Sequence, residues 1–110
     1  MGDRAMAEIK VEDGSLYFYT HWTGHRLAED AEAALAKAKS RIGDDSYATK
    51  IVIDSLINSA GARDNETGAG IMLKPLHEDE YNGDNPSVVI DLVNNVVTKH
   101  RRQDDAESCN

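Results

Sequence analysis

Cysteine, cationic residues and long apolar runs are scarce in this chain, and each scarcity excludes a class of protein. The single cysteine, Cys109, excludes an internal disulfide and a structural zinc site made of several thiolates. With 12 Lys and Arg against 20 Asp and Glu, the formal net charge is −8, which argues against sequence-independent binding of DNA or RNA. No apolar run approaches the ~20 residues of a membrane span, and the N-terminal MGDRAMAEIK lacks a signal-peptide core. These absences predict a cytoplasmic protein that binds neither nucleic acid nor membranes.

Aromatic residues are also few, yet four of the six lie in one short run, Leu16–Gly24, with the sequence LYFYTHWTG. A packed ring buries roughly 150–250 Å², so the run supplies much of a small domain's apolar surface. The run also carries Thr20 and His21, and His25 follows it, although a hydrophobic core needs none of these side chains. We therefore expect packing and a polar cluster to meet at this run.

The first half of the chain predicts a hairpin followed by a helix. Ile9–Val11 and Leu16–His21 have the pattern of strands, and Glu12–Ser15 between them contains the Asp-Gly pair typical of a tight turn. After Gly24 the apolar residues step by three and four, which is the stripe of a helix. That stripe consists of Leu27, Ala31, Ala34, Leu35, Ala38 and Ile42, and Gly43 ends the segment.

The second half predicts another helix and three more strands. We predict a helix over Ser46–Ser59, although the β-branched run Ile51–Ile53 also suits a strand. The length of the segment and the following Gly61 favour the helix. Its predicted apolar stripe is Tyr47, Ile51, Leu56 or Ile57, and Ala60. The predicted strands are Thr67–Lys74, Ser87–Val93 and Val96–Lys99, the last two joined by a tight hairpin at Asn94 and Asn95.

The order of these elements indicates the fold class. Strands on both sides of a helical pair are typical of an antiparallel sheet with the helices on one face. We therefore predict a small single-domain α+β protein, with an antiparallel sheet of about five strands and two helices packed on one face. Residues 9–102 form the predicted domain, residues 1–8 a flexible lead, and residues 103–110 a disordered polar tail.

Three motifs resemble known ligand sites but lack a required feature. His21 and His25 are four residues apart, but a strand end lies between them and no third ligand is evident, which disfavours a metal site. The acidic segment His77–Asn85 lacks the spacing of a calcium loop and is expected to be solvated. Gly68-Ala69-Gly70 precedes a strand and lacks the third glycine of a dinucleotide site. Such glycines indicate a bulge or a close approach of the backbone, to the protein itself or to a ligand.

Cations are concentrated after the last predicted strand. The basic run Lys99–Arg102, together with Lys50, suits a phosphate because arginine donates hydrogen bonds in a planar, bidentate geometry. The alternative is the solvated end of an edge strand, where cations discourage aggregation. No Ser/His/Asp or Cys/His set supports a nucleophile, so we predict neither an enzymatic activity nor a cofactor.

Several short segments, taken in order, carry a family resemblance. They are YTHWTG, RIGDDSYATKIVIDSLI, ETGAGI and, after an N/D-rich loop, VVIDL. Their order and spacing, from about Ile9 to Arg102, are similar to those of the small phage and bacterial proteins grouped with the first-described Thoeris anti-defence proteins. The resemblance implies a non-enzymatic sponge in the host cytosol, which sequesters cyclic ADP-ribose-type immune signals made by host TIR proteins. Some members of that family also hold cyclic di- or trinucleotides at separate sites.

The resemblance also implies a ligand pocket. It places Lys50, Asn85, Arg101 and Arg102 there, where cations and an amide would hold phosphates. Lys50 stands where the family tends to have arginine, and Ala69 stands where it tends to have an aromatic residue between two glycines. Trp22, beside His21, is then the candidate for the missing stacking ring.

The expected partners are a small anionic nucleotide and further copies of this chain. We predict a dimer or a multiple of it, because exposed sheet edges or the alanine face of the first helix pair readily across a two-fold axis. The resemblance places the pockets between subunits. The alternative function is a small oligomeric protein-interaction module without a nucleotide ligand, which the aromatic strand and the acidic surface favour. A small hydrolase is the third hypothesis, and it would release a cleaved ligand.

Overall fold

The computed structural model describes residues 3–75 and 85–99, which form a five-stranded sheet and a layer of two helices. The strands are β1 (Ala5–Val11), β2 (Gly14–Thr20), β3 (Ala69–Met72), β4 (Val88–Asp91) and β5 (Val96–Lys99). The helices are α1 (Leu27–Ala38) and α2 (Asp45–Ala60), and 3₁₀ turns at Gly24–Arg26 and Lys39–Arg41 flank α1. Within these residues, no helix has both the length and the apolar character to span a membrane. This sheet with its layer of two helices is the predicted α+β fold.

The strands lie in the order β3-β2-β1-β4-β5, so β3 and β5 form the two edges. Neighbouring strands are antiparallel except β1 and β4, which run parallel with Ala7 opposite Val88 and Ile9 opposite Ile90. The prediction of an antiparallel sheet is thus correct for three of the four strand pairs. The parallel pair was missed because the order of strands along the chain does not reveal that β4 pairs with the free side of β1.

The hydrophobic core lies between one face of the sheet and both helices. Phe18, Ile9 and Ile90 extend from the sheet into this core, and Leu27 and Leu56 meet them from α1 and α2. The alanines of the predicted α1 stripe are fully buried against these neighbours. Alanine permits the close approach of α1 to α2 and the sheet, so this face is used within one chain and does not offer a surface to a second copy.

Strand β1 begins four residues earlier than predicted. Ala5 and Ala7 were placed in the flexible lead, yet both are fully buried and pair with Thr20 and Phe18 of β2. Small alanines carry too little apolar surface to produce a clear alternation in the sequence. Their burial comes from the helices that lie over them.

Helix α2 has the predicted extent but a different buried face. The buried residues are Ala48, Val52, Ser55 and Leu56, whereas Tyr47 is 59% exposed and lies under the guanidinium of Arg41 at 5.6 Å from its ring centroid. The predicted stripe was correct at Leu56, and its Ile51 and Ala60 pack against the core while partly buried. It missed Ala48 and Val52, because Ile51–Ile53 offers apolar side chains on more than one face of the helix. Gly61, with φ of +68°, ends the helix in the left-handed conformation that glycine favours.

The β4–β5 hairpin is organised by a buried carboxylate. Strand β4 ends at Asp91, two residues before the predicted end, and Leu92–Asn95 form the turn. Oδ1 of Asp91 accepts hydrogen bonds from the backbone N of Val93 and Asn94, both at 2.9 Å, and Oδ2 accepts from Nδ2 of Asn94 at 2.9 Å. The hydrogen bonds from Asn94 lower the pKa of Asp91, and they outweigh the opposing effect of burial.

Candidate functional site

The aromatic run forms one side of a cleft at the end of β2. Tyr19, His21 and Trp22 line this side, and Thr67, Gly68, Ala69 and Gly70 line the other. Tyr19 alternates with the buried Phe18 and Thr20, so it lies on the face of the sheet away from the helices. The cleft has a volume of about 320 Å³. We call these seven residues the aromatic cleft.

Gly68 forms the base on which Trp22 lies. A Cβ added to Gly68 would lie 2.5 Å from Cζ3 and 2.8 Å from Cε3 of Trp22, so only glycine permits this position of the indole. The φ of +109° at Gly68 also favours glycine. The backbone N of His21 donates to the carbonyl of Gly68 at 2.8 Å and holds the two segments together. The close backbone approach that the glycines predicted is therefore made to the protein's own tryptophan.

The indole of Trp22 is fixed and yet open to solvent. The ring of His21 meets it edge-on, with centroids 4.9 Å apart and planes at 81°. The hydroxyls of Thr20 and Thr23 lie 2.6 Å apart and close the turn that carries Trp22. The tryptophan nevertheless remains 56% exposed. A large aromatic surface is thus held in one orientation at the edge of the cleft.

His21 has a defined hydrogen-bonding state. Its Nδ1 lies 3.4 Å from Nε of Arg4 and 3.0 Å from the hydroxyl of Tyr19. Because the Nε of arginine can only donate, this contact assigns Nδ1 as the acceptor and, in the matching tautomer, the ring proton to Nε2. His21 lines the aromatic cleft, and Nε of Arg4 and the hydroxyl of Tyr19 both contact its Nδ1.

A second polar cluster joins the N-terminal segment to β4 next to the aromatic cleft. Nδ2 of Asn85 donates to Oδ1 of Asp3 at 2.7 Å and to the carbonyl of Arg4 at 2.8 Å. The backbone N of His25 donates to Oδ2 of Asp3 at 3.0 Å, and the His25 ring also contacts this oxygen. A Cβ at Gly24 would lie 2.5 Å from Asn85 Nδ2, so the cluster is tightly packed. Both amide hydrogens of Asn85 are therefore directed into the protein.

Hydrogen bonding and burial have opposite effects on the pKa of Asp3. Burial is the largest single effect and raises the pKa of Asp3, but the hydrogen bonds from Asn85 and His25 together outweigh it. The pKa of Asp3 is therefore lowered from its ordinary value, and the carboxylate stays ionised at neutral pH.

Lys50 lies elsewhere, on the exposed surface of α2. Its Nζ is 2.9 Å from Oδ2 of Asp54, one turn further along the helix. Asp54 also lines a second groove, of about 550 Å³, beside α2. The charged residues of this groove are Lys37, Arg63, Asp54 and Asp64. The groove is the larger of the two, but its cations are matched by carboxylates and none of the described residues that line it is aromatic. It therefore suits a phosphorylated ring less well than the aromatic cleft does.

Lys50 and Asn85 lie among different partners. An Nη of Arg26 donates to the carbonyl of Ser59 at 2.8 Å, so the C-terminal end of α2 lies at the start of α1, next to the Asp3 and Asn85 cluster. Lys50 precedes Ser59 by nine residues, which is about 14 Å of helix. Within one chain the structure therefore does not bring Lys50 and Asn85 together.

The other predicted site residues divide into two groups. His21, Trp22 and Ala69 meet in the aromatic cleft. Arg101 and Arg102 lie outside the described residues, as does most of the acidic segment His77–Asn85, so the basic run is represented only by Lys99 at the end of edge strand β5. Arg4 was missed by the sequence analysis, because it was placed in the lead and only its contact with His21 reveals its position.

A metal site was also considered for the two histidines. Across residues 3–75 and 85–99, no group of three or more His, Cys, Asp or Glu is placed to hold a metal ion. His21 faces the aromatic cleft and His25 faces Asp3, so the two imidazoles have different partners.

Comparisons with known proteins complete the description of the site. The chain matches no model of a protein family, and no curated protein or solved structure is significantly similar to it.

Proposed function

We propose that this protein binds a small anionic ligand with a planar ring in the aromatic cleft and holds it without cleaving it. The resemblance described above favours a cyclic ADP-ribose-type or cyclic oligonucleotide signal, sequestered in the host cytosol so that anti-phage defence is inhibited. The observation that carries the proposal is the exposed indole of Trp22, held in one orientation by Gly68 and His21.

A fixed and exposed indole is suited to stacking on a base. A nucleobase stacked on an aromatic side chain contributes about 1–3 kcal/mol to binding. Side chains that must be ordered on binding reduce affinity, and Trp22 is already ordered by its contacts with Gly68 and His21. The cleft therefore offers a stacking surface with little entropic penalty.

The polar groups of the cleft suit an anionic or carbonyl-bearing ligand. The Nε2–H of His21 can donate to a phosphate or carbonyl oxygen. The guanidinium of Arg4, next to His21, adds a positive charge in a protein whose formal net charge is −8. The overall negative charge of the protein repels an anionic ligand, and a cation close to the site offsets part of that repulsion.

The side chains that line the cleft favour binding over turnover. None of the seven lining residues is a carboxylate, a serine or a cysteine, the groups that most hydrolases use as nucleophile or general base. The reactive pair that the lining does contain is the Tyr19 hydroxyl and the His21 ring, 3.0 Å apart. Because the usual groups are absent from these seven residues, we propose sequestration, and we expect the ligand to be recovered intact.

The pocket implied by the resemblance remains a separate prediction. Lys50 and Asn85 are apart within one chain, so a pocket that uses both would have to form between copies. Binding in the aromatic cleft requires neither residue, and this difference makes the two sites distinguishable.

Intrinsic fluorescence provides the first test, because Trp22 is the only tryptophan of the chain. We expect titration with cyclic ADP-ribose isomers and cyclic oligonucleotides to quench or shift the emission of Trp22 for at least one of them. Mass spectrometry after denaturation should return that compound unchanged. If none of these compounds changes the fluorescence, the heat of mixing or the melting temperature, the proposal is rejected, and a cleaved product would indicate an enzyme.

Calorimetry on variants then locates the site. We expect Trp22→Ala to weaken binding at least about tenfold through the loss of stacking. Tyr47→Ala removes an equally exposed ring on α2 and should leave the affinity unchanged. Lys50→Ala should also leave it unchanged, whereas the pocket implied by the resemblance predicts a loss. An unchanged affinity in Trp22→Ala would place the ligand outside the aromatic cleft.

A protein-interaction module is the second candidate function. It is favoured by two exposed apolar side chains, Ile71 and Leu73, at the β3 edge of the sheet. A stable protein partner recovered without a nucleotide would support this candidate.

A further inference from the structure

Strand β3 forms an edge of the sheet, and its backbone has a defined outward side. Because His21 N donates to the carbonyl of Gly68, the alternation of an antiparallel ladder directs the backbone groups of Gly68, Gly70 and Met72 toward β2. Those of Ala69 and Ile71 are directed outward. In the part of the chain that the structure describes, no strand lies on this side of β3. An open row of donors and acceptors of this kind is a template for another strand.

The side chains of this edge lack the features that usually protect an edge strand. Ile71 is 44% exposed and Leu73 is 79% exposed. The stretch from Thr67 to Leu73 contains no charged residue and no proline. Charged side chains and proline are the common means of blocking an edge. The opposite edge, β5, carries Lys99 within the strand and is therefore better protected.

The charges that flank this stretch are symmetric about its centre. Glu66 precedes Gly70 by four residues and Lys74 follows it by four. Strand β3 itself spans Ala69–Met72, and the chain bends at Gly68 and at Leu73–Lys74. In an antiparallel pair of identical strands with Gly70 opposite Gly70, each Lys74 therefore lies at the same end of the paired strands as Glu66 of the second copy. A two-fold axis repeats this attraction at both ends, as a closed, symmetric dimer requires.

We propose that the β3 edge binds the β3 edge of a second copy, with the two-fold axis at Gly70, so that the two sheets form one continuous sheet of ten strands. In this register Ala69 comes opposite Ile71 of the second copy, and both residues direct their backbone groups outward. Each such pair exchanges two hydrogen bonds. Leu73, just after the strand, comes to the end of the pair where Thr67 of the second copy lies.

The register is restricted further by the backbone. A shift by one residue would place inward-directed groups opposite outward-directed ones and break the ladder. A two-residue shift of one strand against the other moves the axis to Ile71 and preserves the hydrogen bonds, but it moves Lys74 away from Glu66. Gly70 at the centre is exposed, and in this register the two glycines form the non-hydrogen-bonded pair at the axis.

This proposal rests on the edge of the sheet and not on ligand binding, so each can fail without the other. Sedimentation velocity and light scattering over a range of concentrations provide the test. We expect the unmodified protein to be a dimer or a multiple of it. Ile71→Lys should raise the dissociation constant at least about tenfold, because it places ammonium groups diagonally across the two-fold axis. A circular dichroism spectrum checks that the variant is folded.

Val96→Lys is the matched control, because Val96 is 45% exposed on the other edge strand, β5. We expect this variant to associate as the unmodified protein does. A monomeric unmodified protein, an Ile71→Lys variant that still dimerises normally, or a Val96→Lys variant that is disrupted as strongly would each overturn the proposal.

A charge exchange tests the register itself. Glu66→Lys and Lys74→Glu each place like charges at the same end of the paired strands, and each should weaken the homodimer roughly three- to tenfold. A mixture of the two variants restores both attractive pairs and should form a heterodimer as tight as the unmodified dimer. A mixture that associates no better than either variant alone would contradict the axis at Gly70.

Discussion

Single residues determine the shape of the aromatic cleft. Gly68 has no side chain and has a φ of +109°, and the indole of Trp22 occupies the space where a Cβ would be. The tryptophan in turn has an exposed face because Gly68 and His21 hold it away from the core. The sequence predicted a close approach at these glycines, but it did not indicate that the approaching group is Trp22.

We predict that Gly68→Ala destabilises the protein and displaces the indole. The strained backbone and the overlap with Trp22 should lower the free energy of unfolding by about 1–3 kcal/mol. Urea denaturation measures this loss, and a change in Trp22 emission reports the displaced ring. Gly70→Ala is the matched control, because an added Cβ there meets nothing within 4 Å. Equal losses in the two variants would show that the contact with Trp22 is unimportant.

The secondary-structure elements were predictable where their sequence signals are local. The α1 stripe from Leu27 to Ala38 was predicted correctly, and so was the turn before β2. The buried face of α2 was predicted only in part, because Ile51–Ile53 lets more than one face be apolar. The start of β1 was missed because Ala5 and Ala7 carry little apolar surface of their own.

For the β4–β5 hairpin, we predict that the ionised Asp91 stabilises the fold and that this stabilisation is lost in acid. The folded-state pKa of Asp91 is lowered from its ordinary value of 3.8, so its contribution is complete above that value and is lost as the pH falls through the lower folded-state pKa. At neutral pH, Asp91→Ala should lower the free energy of unfolding by about 1–3 kcal/mol through the lost hydrogen bonds.

The difference between Asp91→Ala and the unmodified protein should shrink when denaturation is repeated near pH 2. Asp54→Ala, which removes an exposed carboxylate of α2, serves as the control and should show a much smaller effect at either pH. A difference for Asp91→Ala that is independent of pH would mean that the ionised carboxylate does not stabilise the turn.

At the scale of the whole molecule, hydrogen bonds join the N-terminal segment to the residues that precede β4. Asn85, at the start of the last hairpin, donates to Asp3 and to Arg4, which are more than eighty residues earlier. The same N-terminal segment reaches His21 through Arg4. The cluster therefore links Asn85 to the segment that contacts His21, a residue of the aromatic cleft.

We predict that Asn85 stabilises the fold and does not bind the ligand. Asn85→Ala removes the hydrogen bonds that Nδ2 donates to Oδ1 of Asp3 and to the carbonyl of Arg4, which should lower the free energy of unfolding by about 1–3 kcal/mol. The affinity of a ligand in the aromatic cleft should stay unchanged in calorimetry. Asn65→Ala, at an exposed position, controls for the loss of an amide. A lost affinity in a stable Asn85→Ala protein would support the pocket implied by the resemblance instead.

Local patterns along the chain determined the α+β class, the position of α1 and the hairpin turns, because periodicity and turn residues act over a few neighbouring positions. The packing of the layers decided the parallel pairing of β1 with β4, the position of Trp22 on Gly68 and the separation of Lys50 from Asn85. These features join or separate residues that are far apart in the sequence. Their geometry depends on how the helices cover the sheet, and no short segment carries that information.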